Sequence, residues 1–471
     1  MRRNIFSLIL LLSAVFTFVS CLNTNDDSTY YDDAAITSFT IGTLNRTMHT
    51  TSSKGEDSTY TTTVTGSNYK FYIDQQRGLV YNPDSLPIGT RAFGLTTISS
   101  KNSGVIVYKS MKSDTLNYYS SSDSVDFSSA REYRVYSTSG ANYRTYKISV
   151  NVHQQDSDTI IWSKTAINAS IAAMKGMKAV EHNKTIYVFG SNGSSTDIYS
   201  SSTSDGVTWT KLSANKTLSS DAYKSIILNN DNLYIISDGS VLESSDAVNW
   251  NQVATETGLK QLIGGSTTEL YALNGSNTIS VSKDKGKTWN LDNILDDATK
   301  LPTKDIHYNT VSLASNDSTD RIVIVGNRDN TTAVDTTAMV WTKLIEYSAE
   351  SPTSSWEIVE KSDDNYINYL PDLTSLVVIP YDNGMLAFGG KGVNSDKAKF
   401  SQFYQSYDNG ITWVNNTHYY FPSGFNCSGT SFTAVKDSNN FIWIFCGDSG
   451  QIWKGRLNRL GWSKEQTSFT E

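Results

Sequence analysis

Cysteine and proline are scarce in this chain of 471 residues, which holds three of the former and seven of the latter. With Cys21 beside the N-terminus, only Cys427 and Cys446 remain inside the chain. The five histidines stand at 49, 153, 182, 307 and 418, and none forms a ligand pair at metal spacing, so neither a metal nor a cofactor is expected. Positive charge is also in deficit. Thirty-nine Lys and Arg face 47 Asp and Glu, leaving −8 and a pI near 5.3. Without a basic stripe to neutralise phosphates, nucleic acid is not an expected partner. Nor is there an H-E-x-x-H, C-x-x-C, G-x-S-x-G, P-loop or dinucleotide fingerprint. Beyond the first twenty residues no apolar run is long enough to span a membrane.

What the chain has in abundance is Ser, Thr, Asn, Asp and 27 Tyr, a composition suited to an all-β extracytoplasmic protein with polar turns. Its length implies more than one domain. It opens with Met1-Arg-Arg-Asn-Ile and an apolar stretch to Val19, which reads as a signal peptide over residues 1–20. Phe18-Val19-Ser20-Cys21 resembles a bacterial lipobox, which implies a lipid on Cys21 and a membrane tether through it. The acidic segment 22–33 that follows is similar to the start of surface lipoproteins of Bacteroidetes, and an outer-membrane, surface-exposed location is the expectation.

Two octapeptides spell the same turn: Ser282-Lys-Asp284-Lys-Gly286-Lys-Thr288-Trp289 and Ser406-Tyr-Asp408-Asn-Gly410-Ile-Thr412-Trp413. Asp bonds nearby backbone N–H groups in a turn, Gly accepts a positive φ, and Trp buries a large apolar surface. The pattern resembles the Asp box of sialidases and related β-propellers, where it joins the third and fourth strands of a blade. Shorter copies pair Asp205 with Trp209 and Asp246 with Trp250, and Trp356 and Trp462 stand at equivalent points in weaker copies. The six Trp positions, 209, 250, 289, 356, 413 and 462, stand 41, 39, 67, 57 and 49 residues apart, a repeat that suggests four-stranded blades of about 40–50 residues.

Ahead of each Trp lies a short apolar run ending in a small or polar residue: 186–190, 233–237, 270–274, 322–326, 385–389 and 441–447. Such runs suit strands buried on both faces. Six runs and six Trp positions predict a six-bladed propeller over 160–471. Seven blades is the alternative, because the unit from 290 to 360 is long and Thr159–Lys164 around Trp162 looks like one more strand.

Residues 34–152 have another rhythm, with an alternating strand at 35–41 and a hairpin built from 131–136 and 143–152. Their order resembles the Ig-like modules of Bacteroidetes surface lipoproteins, which implies a β-sandwich serving as a spacer, with 21–33 as tether and 153–159 as linker. Cys427 and Cys446 are assigned to the first two strands of the last blade. Their offsets from the intervening turn do not match, so buried free thiols are favoured over a disulfide.

The Asp box is poor evidence of chemistry. A sialidase needs three arginines around a carboxylate, and after residue 160 the chain has only Arg321, Arg328, Arg456 and Arg459, with no Arg-Ile-Pro motif. A propeller glycosidase with two facing carboxylates is the runner-up, an envelope assembly factor the third reading, and an enzyme is the less favoured class. The favoured reading is a propeller that binds a glycan or protein ligand on the face opposite the Asp-box turns. Candidate residues there are Arg328, Asp329, Asp363, Asp364, Tyr366, Tyr369, His418, Tyr419 and Tyr420, because flat rings beside polar groups suit sugar stacking. Asp205, Trp209, Asp246, Trp250, Asp284, Gly286, Trp289, Asp408, Gly410 and Trp413 are assigned to structure.

Overall fold

The computed structural model describes residues 29–51, 57–255, 258–313, 316–329, 335–347, 354–359, 369–390, 400, 402–427 and 431–462. The lipobox with Cys21, the loop 391–396, and Asp363, Asp364 and Tyr366 lie outside them. The chain divides into two compact units, one of residues 1–156 with 463–471 and one of 157–462.

The first unit is an all-β domain. Ile36–Ile41 pairs antiparallel with Phe93–Ser100, which pairs in turn with Ser124–Asp126. A six-stranded sheet runs in the order 72–74, 79–81, 143–149, 131–136, 106–109 and 116–118. At its centre the expected hairpin is present, in register from Arg131 opposite Ile148 to Tyr136 opposite Tyr143. Arg131–Tyr136 alternates buried and half-buried residues along its length, so every second side chain enters the core. Ile36, Phe39, Val80, Phe127, Tyr133, Tyr146 and Ile148 meet there.

In the second unit the described residues form six antiparallel sheets of four strands, the first with a short fifth strand. In chain order the sheets begin with Met177–His182, Ile227–Asn229, Leu259–Gly265, Lys304–Leu313, Val377–Tyr381 and Phe432–Lys436. Each of these first strands lies beside the first strand of the next sheet, and the first of them lies beside the last, around a central channel. The six apolar runs read from sequence are the second strands, as in Ile442–Cys446, where every residue is buried. A strand packed on both faces by neighbouring sheets has no polar side, which is why the run is continuous rather than alternating.

Two expectations need correction. The fourth strand of the sixth sheet does not come from the region of Trp462. It is Ile160–Ile167, at the start of the unit, paired with Gln451–Leu457 from Ile160 opposite Leu457 to Ile167 opposite Gln451. The strand-like piece around Trp162 therefore closes the last sheet, and Trp462 merely follows a short 3₁₀ turn at 458–461. Second, Cys427 and Cys446 are joined in a disulfide, with Cα atoms 5.0 Å apart. Cys446 sits on the second strand opposite Phe432, but Cys427 lies in the loop ahead of the first strand, where no ladder register restricts its approach.

The end of the unit is latched by charge. Arg459 donates through both Nη atoms to Asp382 at 2.5 Å and through Nε to Asp158 at 3.0 Å. The Asp382 side chain is only 2% exposed, and it also accepts from Tyr419 Oη and Gln405 Nε2, each at 3.4 Å.

Candidate functional site

The Asp boxes sit between the third and fourth strands of their sheets and are locked by one bonding pattern. In the third sheet Thr288 N and Oγ1 donate to Asp284 at 2.8 and 2.7 Å, Gly286 N donates to Ser282 Oγ at 2.8 Å, and Trp289 Nε1 donates to Gly286 O at 2.9 Å. The Ser406 box repeats this in the fifth sheet, with Thr412 on Asp408 and Trp413 Nε1 on Gly410 O. These donors hold the Asp284 carboxyl well below the usual range, at about 2. In the second sheet Ala247 takes φ 61, the left-handed geometry that Gly206 adopts at φ 67 in the first, and Trp250 Nε1 caps its carbonyl at 3.0 Å. Trp250 and Trp413 are fully buried, whereas Trp209 and Trp289 are half-buried. Every polar group of the motif is spent on the turn.

On the Asp-box side lies one dense ionic cluster. Lys343 Nζ bonds Asp292 at 2.7 Å and lies 3.7 Å from Glu269, with all three side chains at most 8% exposed. Asp292 also accepts from Trp356 Nε1 at 2.8 Å, and Tyr271 Oη donates to Glu269. Two carboxylates are close together here and both line a cleft of about 480 Å³, but Lys343 lies against both and Lys283 Nζ is 3.3 Å from Glu269, so each is engaged in an ion pair rather than held free as an acid or a nucleophile.

The opposite side is different. A cavity of about 1070 Å³ is lined there by the beginnings of the first strands and by turns between second and third strands, with residues from all six sheets. Lys178, on the first strand of the first sheet, extends its ammonium to Lys224 O ahead of the second sheet and to Ile306 O of the fourth, both at 3.4 Å. The side chain thus reaches over the channel. Among the described residues no carboxylate pairs with it, and burial alone pushes its pKa down to about 8. Beside it stands His307, whose Nε2 donates to Leu376 O at 2.9 Å. Burial, then the nearby Lys178 charge, depresses this imidazole to about 3, so it is neutral. His307 owes its place to a bulge in the first strand of the fourth sheet, where the register slips between Lys304 and His307 and Asp305 takes φ 52.

The cavity's other charged groups are mixed. Lys175, Lys224 and Lys260 are exposed, and Lys304 lies 3.7 Å from the exposed Asp329. Asp305 is pushed up by burial. Near it Asp372, with Oδ1 buried and unpaired, is pushed up to about 6, also by burial.

Of the residues selected from sequence for this face, Asp329 alone among those described lines the cavity. Arg328 is committed to Asp335 through two bonds of 2.7 and 2.6 Å and to Thr299 O at 3.0 Å. It shares a smaller cleft of about 270 Å³ with Tyr369 and Trp413. Tyr419 is 4% exposed, with its hydroxyl on Asp382, so its ring packs between the fifth and sixth sheets and offers no face to a ligand. Tyr420 is 70% exposed, but its carbonyl accepts from Trp162 Nε1 at 2.9 Å, which places it at the outer edge of the sixth sheet. His418 is exposed on the same turn, its backbone N bonded to Asn416 Oδ1. Lys178 was missed. Its signal was available: Lys178, Lys224, Lys260 and Lys304 recur at or just ahead of four successive first strands.

Fold and site together define a two-domain all-β protein, with an N-terminal β domain and a C-terminal β-propeller whose channel is mouthed by a lysine-bearing cavity. Residues 156–465 match the DUF6242 beta propeller domain and residues 39–150 the DUF6242 N-terminal domain. The chain belongs to the DUF6242 family. No curated protein matches it. Among solved structures it is similar to a DUF4623 family protein from Bacteroides eggerthii, at 12% identity over 90% of this chain and 98% of that one, with a TM-score of 0.37. A protein of unknown function from Bacteroides thetaiotaomicron is similar at 10% identity over 80% and 99%, with a TM-score of 0.40. A Trichoderma reesei protein of Carbohydrate-Active Enzymes Family AA12 is similar at 9% identity over 63% and 95%, also with a TM-score of 0.40.

Proposed function

We propose that this is a lipid-anchored protein of the cell envelope whose six-bladed propeller binds a ligand at the channel mouth, with the N-terminal Ig-like domain as its stalk. Six blades is the reading supported by six sheets whose first strands neighbour one another in a closed series. The lipobox-like Phe18–Cys21 supports the anchor. The observation that carries the binding role is the cavity of about 1070 Å³ opposite the Asp-box turns, large enough for a small ligand and built by every sheet. Its lining carries five lysines and several hydroxyl groups, which suits a polar ligand such as a glycan over an apolar protein anchor.

A glycan array probed with the protein tests this. Hits should be lost when Lys260 or Asn277, exposed in the cavity wall, is replaced by a bulkier side chain, and kept by Lys285→Ala in an Asp-box turn. Binding that survives every cavity substitution refutes the channel-mouth site.

A further inference from the structure

We propose that the group seated in the channel is the anionic substituent of an acidic sugar, a carboxylate or sulfate ester, with Lys178 as its direct partner. The inference rests on the channel-mouth reading and names the ligand class. An ammonium has three protons to donate. Lys178 spends its bonds on two carbonyls at 3.4 Å, the long end of the hydrogen-bonding range, and stands half-buried in the cavity wall. A cation so placed, with no described carboxylate paired to it, attracts an anion more strongly than an exposed lysine does.

The neighbouring charges reinforce this. Lys175, Lys224 and Lys260 line the same cavity, and among the described residues no carboxylate pairs with them. Of the acids there, Asp329 is matched by Lys304 and Asp305 is biased toward its neutral form by burial, which leaves exposed Asp221 and Asp238 against Lys178 and the three exposed lysines. Asp238 occupies the turn between second and third strands of the second sheet. The lysines come from sheets one to four, while the corresponding starts of sheets five and six carry Ser375 and Thr433. A charged substituent would face the first four sheets and sugar hydroxyls the last two.

The test is calorimetric titration of the full chain with glucuronic acid, glucose 6-sulfate and glucose at two salt concentrations. One or both anions should bind at least about tenfold tighter than glucose, with the preference shrinking at high salt. The first two arms separate carboxylate from sulfate. Lys178→Met should abolish the preference, and Lys224→Gln, an exposed change that leaves the fold intact, should weaken it about two- to fivefold. Equal affinity for glucose and both anions, or an anion preference that Lys178→Met leaves unchanged, overturns the inference. Neutral glycans competing for the cavity would then keep the channel-mouth reading alive. If no array glycan and none of the three sugars binds, both readings fall.

Discussion

Lys178 makes a sharp prediction about stability even before any ligand is known. Its folded pKa is pushed down to about 8 from 10.5 by burial, so the unfolded chain holds this proton more tightly than the native protein does. The sign follows. The charged form costs stability in full below pH 8, and the cost is relieved as pH rises from 8 toward 10.5. The gap is worth roughly 3 kcal/mol at pH 7 and between 1 and 2 kcal/mol at pH 9.5. Lys178→Met keeps the length of the side chain and removes the charge. It also gives up two weak bonds to carbonyls, about 1 kcal/mol, partly offset because Lys224 O still accepts from Gln261 Nε2 at 3.1 Å. The groups facing Lys178 do not blur the window: His307 is already neutral and the Lys224 side chain is exposed. The variant should therefore gain roughly 2 kcal/mol at pH 7, several degrees in melting temperature, and almost nothing at pH 9.5. Thermal melts of both proteins at the two pH values measure this. A Lys178→Met protein that melts lower at pH 7, or whose gain is the same at both pH values, refutes the account of an unpaired desolvated ammonium.

Trp413→Ala should destabilise the propeller by about 3–5 kcal/mol in urea unfolding, and Trp289→Ala by clearly less, because the first ring is 1% exposed and the second half-buried. Equal losses would show that burial does not set the cost. Arg459→Ala should cost about 3 kcal/mol or more, since it strands the Asp382 carboxylate at 2% exposure; a change under 1 kcal/mol would mean that solvent reaches Asp382 readily. Cys21→Ala should move the protein from membrane to soluble fractions and end labelling by a fatty-acid analogue, and labelling that persists in the variant would refute the lipid anchor.

Much of the fold was legible because its information is local. Ile186–Gly190 and Leu233–Ser237 are apolar on both faces because a second strand is packed on both sides, and no neighbour far along the chain is needed to see it. The Asp boxes are more local still: all five bonds of the Ser282 box close within eight residues. Failure came where the decisive partner is distant. Ile160–Ile167 reads as an ordinary strand, and nothing in its side chains says that it pairs with Gln451–Leu457 almost 300 residues later. Trp462 looked like the marker of a fourth strand only because that strand was sought next in sequence. Cys427 was judged by strand register, and it stands on a loop where register does not apply.

The candidate site was harder to read for a different reason. A ring such as Tyr419 is equally at home in a binding loop or between sheets, and only the position of its hydroxyl against Asp382 decides for packing. Loops on the ligand face also travel from the outer edge to the channel, so membership of the face does not give nearness to the centre. Tyr420 is on that path and stops at the rim beside Trp162. Nearness is better encoded by the first strands, which line the channel by topology. A charged residue at the start of one is driven toward the channel, since the faces of the strand are taken by neighbouring sheets. Lys178, Lys260 and Lys304 each occupy the first or second position of such a strand, and Lys224 lies three residues ahead of one. The same topology that makes the second strands continuously apolar therefore concentrates lysine charge at one end of an otherwise acidic protein. Phasing the charges against the blade repeat, rather than searching the loops for rings, is what would have found the cavity.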